Sequence, residues 1–315
     1  MPKLFLVVLA ALLMSACEQP TEQTNQILVI RCGNLIDGLA DEALGGRTVI
    51  VENERIAALQ PLDAPLPEGA ELLDLSDSTF LPGLIDTHTH IALNHDDSSD
   101  LTVYYGRTMA DNMAITIANA DVTLQAGFTT IRNVGDYFPE AILEARKKIH
   151  AGEIPGPRIQ TAGSYLTIPG GGGDLVVPGQ DESEIPPGIR IGVARGPEAF
   201  AAATQQILDN GADMIKIIAS GAVFAFGGVP GAPEMTPEEI AAVVEVAHAA
   251  GVKVTAHAHG AQSIKDAILA GVDSIEHASL ADDEAVALAA EHGVAFSMDV
   301  YNGTFTAEVG EALGY

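Results

Sequence analysis

From Leu81 onward, short apolar runs alternate with Ala-rich amphipathic stretches, and this alternation restricts the possible folds more than any other feature. It is the pattern of parallel βα units, in which each helix returns the chain to the same edge of a sheet. The predicted strands begin near Leu84, Thr129, Arg158, Met214, Lys253, Ser274 and Ala295. The predicted helices occupy residues 110–126, 139–151, 197–210, 237–250, 261–270 and 282–292.

The number of strands bears directly on the architecture. A closed (β/α)8 barrel needs eight strands, and residues 81–315 contain seven candidates. A doubly wound open sheet shows the same alternation, but no G-x-G-x-x-G motif follows an early strand in this chain. The predicted fold class is therefore α/β, a (β/α)8 TIM-like barrel of which strands 1 to 7 are present.

A different pattern precedes the barrel. Residues 27–80 consist of short β-like runs separated by turn residues, among them Gly45, Gly46 and Asn53. This segment is predicted to form a small N-terminal β-sandwich portion.

Residues 1–17 have the features of an export signal. Lys3 precedes an apolar run at 4–14 that is too short to span a bilayer as a stable helix. Ser15 and Ala16 then precede Cys17, which resembles the lipobox of bacterial lipoproteins. We therefore expect an exported periplasmic or outer-membrane lipoprotein, with lipid on Cys17 and residues 18–26 as a polar tether. Met14 stands where that pattern prefers Leu, which leaves a secretory signal with release into the periplasm as the alternative.

The chain is strongly acidic. Its 43 Asp and Glu residues outnumber its 15 Lys and Arg residues, the formal net charge is −28, and there is no long basic cluster. This charge argues against nucleic acid and anionic membrane surfaces as partners, so membrane contact is expected only through the lipid anchor. We expect a small-molecule or dipeptide substrate and a homo-oligomer.

Histidines stand at the ends of several predicted strands, where barrel enzymes carry their active residues. His88 and His90 are two positions apart on one strand, so their side chains share a face about 6.5–7 Å apart and can bind one ion together. His257 and His277 end two later strands. Together these residues predict a metal site.

Lys216 belongs to the same set. It lies in MIKIIAS between apolar neighbours, and a buried lysine is costly unless it is paired or neutral. One interpretation is structural and requires a carboxylate partner such as Asp213, or a helix end. The functional interpretation is that neutral Lys216 takes up CO₂ and that the resulting carbamate bridges two cations.

Other residues near these strands are candidates for supporting roles. His259 forms a second H-x-H pair with His257, and because only one of the two need bind metal, His259 is predicted to contact substrate. Glu276 is expected to point away from His277 on the strand and to serve packing or support. The long loop at 165–196 is predicted to form a pocket wall, with Tyr165 and Arg190 as substrate contacts. Arg190 or Arg195 is available for a substrate carboxylate, and solvent-exposed charge is the alternative for both.

These motifs resemble those of a known family. The segments LPGLIDTHTH, GFTTIRNVG, GPRIQTAG, MIKIIASG and VTAHAHGAQSIKDAILAGVDSIEHAS are similar to the metal-dependent amidohydrolase superfamily, especially its prolidase-like and imidazolonepropionase-related branch. The resemblance implies a distorted barrel beside a β-sandwich, with two divalent ions, usually Zn²⁺. It also implies that His88 and His90 hold the more buried ion, that carboxylated Lys216 bridges, and that His257 and His277 hold the second.

Two departures from the family pattern are expected to matter. The family supplies an Asp from the eighth strand that binds the buried metal and shuttles a proton, and this chain ends before that strand. Asp299, on the seventh strand, is not assigned that role. Gly172 stands in a glycine run where relatives often carry a His. The chain is therefore expected to be a C-terminally truncated fragment that folds poorly or is inactive.

The function implied by the resemblance is hydrolysis of an amide bond in a dipeptide or N-acyl amino acid by a hydroxide that bridges the metals. Histidine ligands suit Zn²⁺ in a catalytic site, while Mn²⁺ or Co²⁺ could substitute. A cyclic-amide hydrolase or deaminase of the imidazolonepropionase type is the alternative among enzymes. An inactive metal-binding periplasmic lipoprotein is the alternative of another class.

Overall fold

The protein consists of two compact units, divided between Pro82 and Gly83. The computed structural model describes residues 26–94, 97, 100–223, 225, 228–299, 303–304 and 308. The predicted signal peptide, with Cys17, lies outside these residues, as does nearly all of the predicted tether. Across the described segments, no helix combines the length and the apolar character needed to cross a bilayer.

The N-terminal unit is built on one four-stranded sheet in the order β3-β2-β1-β4. The strands are β1 Ile27–Leu35, β2 Leu44–Glu52, β3 Arg55–Pro61 and β4 Glu71–Phe80. β1 and β2 pair antiparallel, β2 and β3 pair antiparallel, and β1 and β4 pair parallel. Asn53 and Glu54 form the β2–β3 hairpin with φ values of 48° and 66°, the left-handed conformations that a tight two-residue turn needs. Within residues 26–82, the predicted sandwich portion is thus a single sheet.

The second unit alternates strands and helices from Leu84 onward, as the periodicity predicts. Its strands are β5 Leu84–Thr89, β6 Phe128–Asn133, β7 Arg158–Thr161, β8 Tyr165–Leu166, β9 Ile215–Ile218, β10 Val254–Gly260, β11 Ser274–Leu280 and β12 Ala295–Ser297. Its helices are α1 Met109–Gln125, α2 Pro139–His150, α3 Pro197–Asp209, α4 Pro237–Ala249, α5 Ala261–Leu269 and α6 Asp283–His292.

All strand pairs of this unit are parallel, and they follow chain order. The third predicted strand is β7, which pairs with β6. β8, two residues after Gly163 (φ 65°), pairs with β9 and lies at the start of the segment 165–196 that the sequence predicts to be a loop. The sheets are therefore β5-β6-β7 and β8-β9-β10-β11-β12. The described residues form no closed barrel, although the hydroxyls of Thr87 on β5 and Ser297 on β12 lie 2.9 Å apart.

The core of this unit lies between β9, β10 and β11 and helices α3 to α6. β9 is buried along its whole length, as expected of a strand covered on both faces. Helices α3, α4 and α5 are each followed, one residue after the C-cap, by a glycine in the left-handed region: Gly211, Gly251 and Gly271 have φ values of 97°, 76° and 98°.

Two aspartates that lie just before strands link these strands to others by hydrogen bonds. The carboxylate of Asp213 accepts a hydrogen bond from the backbone N–H of Thr161, and that of Asp273 accepts one from Val254. Asp213 also binds the Arg146 guanidinium. The suggestion that Asp213 is the charge partner of Lys216 is therefore wrong.

Candidate metal centre

The predicted histidines and lysine converge on a single cavity of about 1050 Å³ in the second unit. β5 supplies His88, and His90 follows at its end. β9 supplies Lys216, β10 supplies His257 and His259, and β11 supplies His277. All six residues line the cavity at the carboxyl end of the parallel strands.

The imidazole rings are in mutual contact. Ring centroids lie 5.2 Å apart for His88 and His90, 4.7 Å for His88 and His277, and 4.5 Å for His257 and His277. His259 lies 4.6 Å from His257 and is stacked on His277 at 4.7 Å. One ring nitrogen each from His257, His259 and His277 falls within 4.8 Å of the other two, close enough to share a cation.

Three of the rings are held by acceptors that fix the position of the ring proton. Nδ1 of His88 lies 2.7 Å from Oε2 of Glu276, and Nδ1 of His90 lies 2.8 Å from the Gly135 carbonyl oxygen. Nδ1 of His277 lies 3.0 Å from Oδ1 of Asp299. Because carboxylate and carbonyl oxygens only accept, each Nδ1 donates, and the lone pair is left on Nε2.

A buried nitrogen supports metal binding most directly. Nε2 of His257 is shielded from solvent and has no hydrogen-bond partner within the protein. Buried polar atoms in native structures are almost always satisfied, so an orphaned imidazole nitrogen among other histidines fits a metal ligand.

Four of the five rings, those of His88, His90, His257 and His259, are neutral at physiological pH. Burial, followed by the charge of Lys216, lowers the pKa of His88 to about 4. Burial and the neighbouring His88 lower the pKa of His90 to about 3, and burial with His277 lowers that of His259 to about 4. Burial also holds the pKa of His257 well below its usual range. Neutral imidazole is the form that binds metal, so these four rings do not have to lose a proton first.

Lys216 is buried, with 2% of its surface exposed. Burial lowers the pKa of its amine to about 8, although the nearby Glu276 carboxylate acts in the opposite direction. The neutral amine is thus accessible at mildly alkaline pH, which an ordinary lysine does not allow.

Glu276 accepts a hydrogen bond from Nδ1 of His88 without lining the cavity, and it thus has one of the two roles expected for it, support of a site histidine. Its side chain is fully buried, and besides His88 it binds the Arg132 guanidinium and the Thr255 hydroxyl. Ser274, two positions earlier on β11, also contacts Glu276, whereas His277 has a φ of 71° and departs from the regular alternation of side chains. Burial alone would raise the pKa of Glu276, but the hydrogen bond from His88 and the charges of Lys216 and Arg132 outweigh it and lower the pKa.

The predicted substrate contacts Tyr165 and Arg190 differ in whether they line the cavity. Tyr165 lines the cavity, with its hydroxyl 3.2 Å from Nδ1 of His90. Arg190 does not line it: its guanidinium is paired with Asp174, so its prediction as a substrate contact is not supported by the geometry. Arg195 is exposed and also lies away from the cavity.

Four further cavity residues were not singled out as site residues from the sequence. Asp299 and Ser279 hold His277 and His259, and Tyr104 and Tyr137 line the cavity beyond Tyr165. Ser279 follows His277 by two positions in EHAS, which is a usable signal. Tyr104 and Tyr137 have no such signal in the sequence, because only the fold brings them to the cavity.

An α/β fold with five histidines and one buried lysine on a single cavity is the arrangement expected of the metal-dependent amidohydrolase superfamily. Residues 79–311 match the amidohydrolase family, and the chain belongs to that family.

Individual relatives agree with this assignment. The chain is 33% identical to a crystal structure of a Xaa-Pro dipeptidase with bound methionine in the active site, with a TM-score of 0.83 over 90% of this chain and 69% of that one. A prolidase complexed with N-methylphosphonate-L-proline is 29% identical, with a TM-score of 0.79 over 92% and 70%. Ochratoxinase from Aspergillus niger is 29% identical over 294 residues, which cover 86% of this chain and 58% of the relative. The chain therefore spans a little over half the length of that curated relative.

Proposed function

We propose that this protein is a metal-dependent hydrolase that cleaves the amide bond of a dipeptide or an N-acyl amino acid. The observation that carries the proposal is the convergence of five imidazoles and one buried lysine on a single cavity. The similarity to a Xaa-Pro dipeptidase and to a prolidase supports an amide bond as the target.

The donor set fits two divalent cations, and Zn²⁺ suits it best because the ligands are imidazoles in an open site. His88 and His90 would hold one ion, and His257 and His277 the other. When bound, the ions would polarise the scissile carbonyl and lower the pKa of water.

Carboxylated Lys216 would join the two sites. The neutral amine would attack CO₂ through its nitrogen lone pair, form an N–C bond and release one proton, which leaves a carbamate whose single negative charge is shared by two oxygens. Its position among the histidine rings would give each cation one of these oxygens. The lowered pKa of Lys216 supports this role, since only the unprotonated amine reacts.

His259 differs from the three rings that are fixed by obligate acceptors. Its Nδ1 lies 3.0 Å from the Ser279 hydroxyl, which can donate or accept. The proton of His259 is therefore free to sit on either nitrogen, and Nε2 can act as acceptor or donor. This freedom suits a residue that contacts the substrate, as the sequence predicts, rather than a permanent ligand.

The test uses metal-loaded protein against Xaa-Pro dipeptides, N-acyl amino acids, and cyclic amides such as imidazolones and dihydropyrimidines, with bound metal measured by elemental analysis. We expect about two ions per chain and hydrolysis of linear amides. Hydrolysis confined to cyclic amides would overturn the substrate assignment and favour the cyclic-amide alternative. Stoichiometric metal without turnover would favour a binding lipoprotein.

We further propose that the protein is exported and lipidated on Cys17. The mass of the mature protein tests this directly. A diacylglycerol adduct on an N-terminal Cys17 supports the anchor, whereas cleavage that leaves Cys17 unmodified or removes it supports release into the periplasm.

A further inference from the structure

One wall of the cavity is apolar and aromatic. Leu93, Leu101, Tyr104 and Tyr137 line it, and they pack against a buried apolar cluster. A row of rings connects the wall to the metal centre: His90 to Tyr165 at 5.8 Å, Tyr165 to Tyr137 at 5.2 Å, and Tyr137 to Tyr104 at 5.2 Å. The wall therefore begins beside His90 and leads outward from it.

Contacts outside the cavity fix the position of Tyr104 in this wall. Tyr104 lies on a 3-10 helix, Leu101–Tyr105, and is 3% exposed. The Arg107 guanidinium lies 5.0 Å from the centre of the Tyr104 ring and donates two hydrogen bonds of 2.7 Å to Asp97. A cation held by a bidentate carboxylate fixes the ring against which it stacks, so the wall is preformed.

The wall carries no charge. Burial raises the pKa of Tyr104, Tyr137 and Tyr165, so all three phenols stay protonated at physiological pH. No arginine among residues 83–299 lines the cavity. Arg107 and Arg190 belong to ion pairs with Asp97 and Asp174, and among the described lining residues Asp299 is the one carboxylate.

We propose that this wall is a subsite for an uncharged aromatic or branched aliphatic side chain of the substrate, with Tyr104 and Leu101 as specificity-determining residues. The inference rests on the proposed amide hydrolysis and narrows its substrate class. A charged side chain would lose its hydration there without gaining a partner, whereas an apolar one would exchange water for ring contacts. Burial of a phenyl group in place of a methyl group favours the larger substrate by roughly ten- to a hundredfold.

The test compares substrates that differ in one side chain. The pairs Phe-Pro and Ala-Pro, and N-acetyl-Phe and N-acetyl-Ala, place the group on either side of the amide bond. We expect kcat/KM to be at least tenfold higher for the aromatic member of one pair, and Lys-Pro and Glu-Pro to be poorer than Phe-Pro. Equal rates within both pairs, or a preference for the charged dipeptides, would overturn the proposal.

Substitutions in the wall test whether it causes the preference for an aromatic side chain. Tyr104→Ala should lower the aromatic-to-alanyl ratio of kcat/KM at least fivefold. Leu101→Trp, at a half-buried position of the same helix, should also lower this ratio, because the larger side chain would fill the space proposed for the substrate side chain. Tyr105→Ala is the matched control, since Tyr105 packs in the same cluster but does not line the cavity, and its ratio should match the wild type. Circular dichroism and metal content establish that each variant folds.

A binding measurement separates this proposal from the proposed function. The chain has no Trp, so the fluorescence of 2-naphthamide, a neutral aryl amide, can be followed without indole background. We expect its dissociation constant to rise at least fivefold in Tyr104→Ala and to stay constant in Tyr105→Ala. If the protein shows this binding pattern but hydrolyses no amide, the proposed function is contradicted and the proposed subsite is supported. An unchanged dissociation constant for 2-naphthamide in Tyr104→Ala would contradict the proposed subsite.

Discussion

Nδ1 of His88 and Oε2 of Glu276 lie 2.7 Å apart, and this contact joins the metal centre to the buried polar network beneath it. The other carboxylate oxygen of Glu276 accepts hydrogen bonds from Arg132 and Thr255. Arg132 in turn donates to the Thr87 carbonyl and the Ser274 hydroxyl. The orientation of His88 is therefore set by residues on three other strands.

Glu276→Gln should weaken metal binding. The amide keeps the size of the side chain but loses the charge that fixes the His88 proton on Nδ1, and loss of such support typically costs about ten- to a hundredfold in affinity. Competition with a chelator measures the change. Ser279→Ala is the control, since it frees His259 alone and should leave metal stoichiometry unchanged. Equal affinity of wild type and Glu276→Gln would show that Glu276 only fills space.

Lys216→Ala should abolish activity and lower bound metal below two ions per chain. Short carboxylic acids such as acetate and propionate should restore part of both, because they can occupy the position of the proposed carbamate. Lys265→Ala is the control: this lysine pairs with Asp282 and Glu284 far from the cavity lining and should leave metal content unchanged. Full metal content in Lys216→Ala would favour a site held by histidines alone.

The positions of the elements could be predicted from the sequence because local signals determine them. Helix α4 illustrates this: Thr236 and Glu239 form the capping box at its start, and Gly251 with φ 76° follows its end. Its predicted range, 237–250, differs from the observed Pro237–Ala249 by one residue.

The partners of the site residues could not be predicted in the same way. His277 leaves the extended conformation with a φ of 71°, and the strand period gives no sign of that change. The Gly135 carbonyl reaches His90 across 45 positions of sequence, and Asp299 reaches His277 from another strand end. Periodicity places side chains on faces, but these contacts depend on tertiary packing.

Asp136 should make stability depend on pH. Its carboxyl is buried, Oδ1 has no hydrogen-bond partner, and Asn133 and Ala92 donate hydrogen bonds to the group. Burial raises its pKa well above the ordinary value, and these donors do not compensate. Above about pH 4 the unfolded chain releases this proton while the folded chain keeps it, so the free energy of unfolding falls as pH rises toward the folded pKa.

Asp136→Asn removes this titration. Denaturant unfolding from pH 4 to 8 should show the stability of the variant rising relative to the wild type as pH increases. Asp283→Asn, which removes an exposed carboxyl on α6, controls for the change in net charge. A difference between Asp136→Asn and wild type that stays constant with pH would mean that Asp136 is ionised in the folded protein.

Gly172 should not tolerate a side chain in the observed backbone. A Cβ at this position would lie 2.9 Å from Cβ of Ala222 and 3.2 Å from Cγ2 of Ile218, closer than packed carbon atoms approach. Gly172→Ala should therefore lower the free energy of unfolding by about 1–3 kcal/mol, the usual cost of overpacking. Ala222→Gly in the same chain should recover part of this loss, because it removes the nearest atom.

Thermal unfolding of the two single variants and the double variant measures this coupling. Gly188→Ala is the matched control, since a Cβ there meets no atom within 4 Å and its φ is not positive. That variant should unfold within about 0.5 kcal/mol of the wild type, as surface substitutions do. Additive effects of Gly172→Ala and Ala222→Gly would contradict direct contact between the two positions. A coupled result would explain in steric terms why Ala222 accompanies a glycine at position 172 rather than a larger residue.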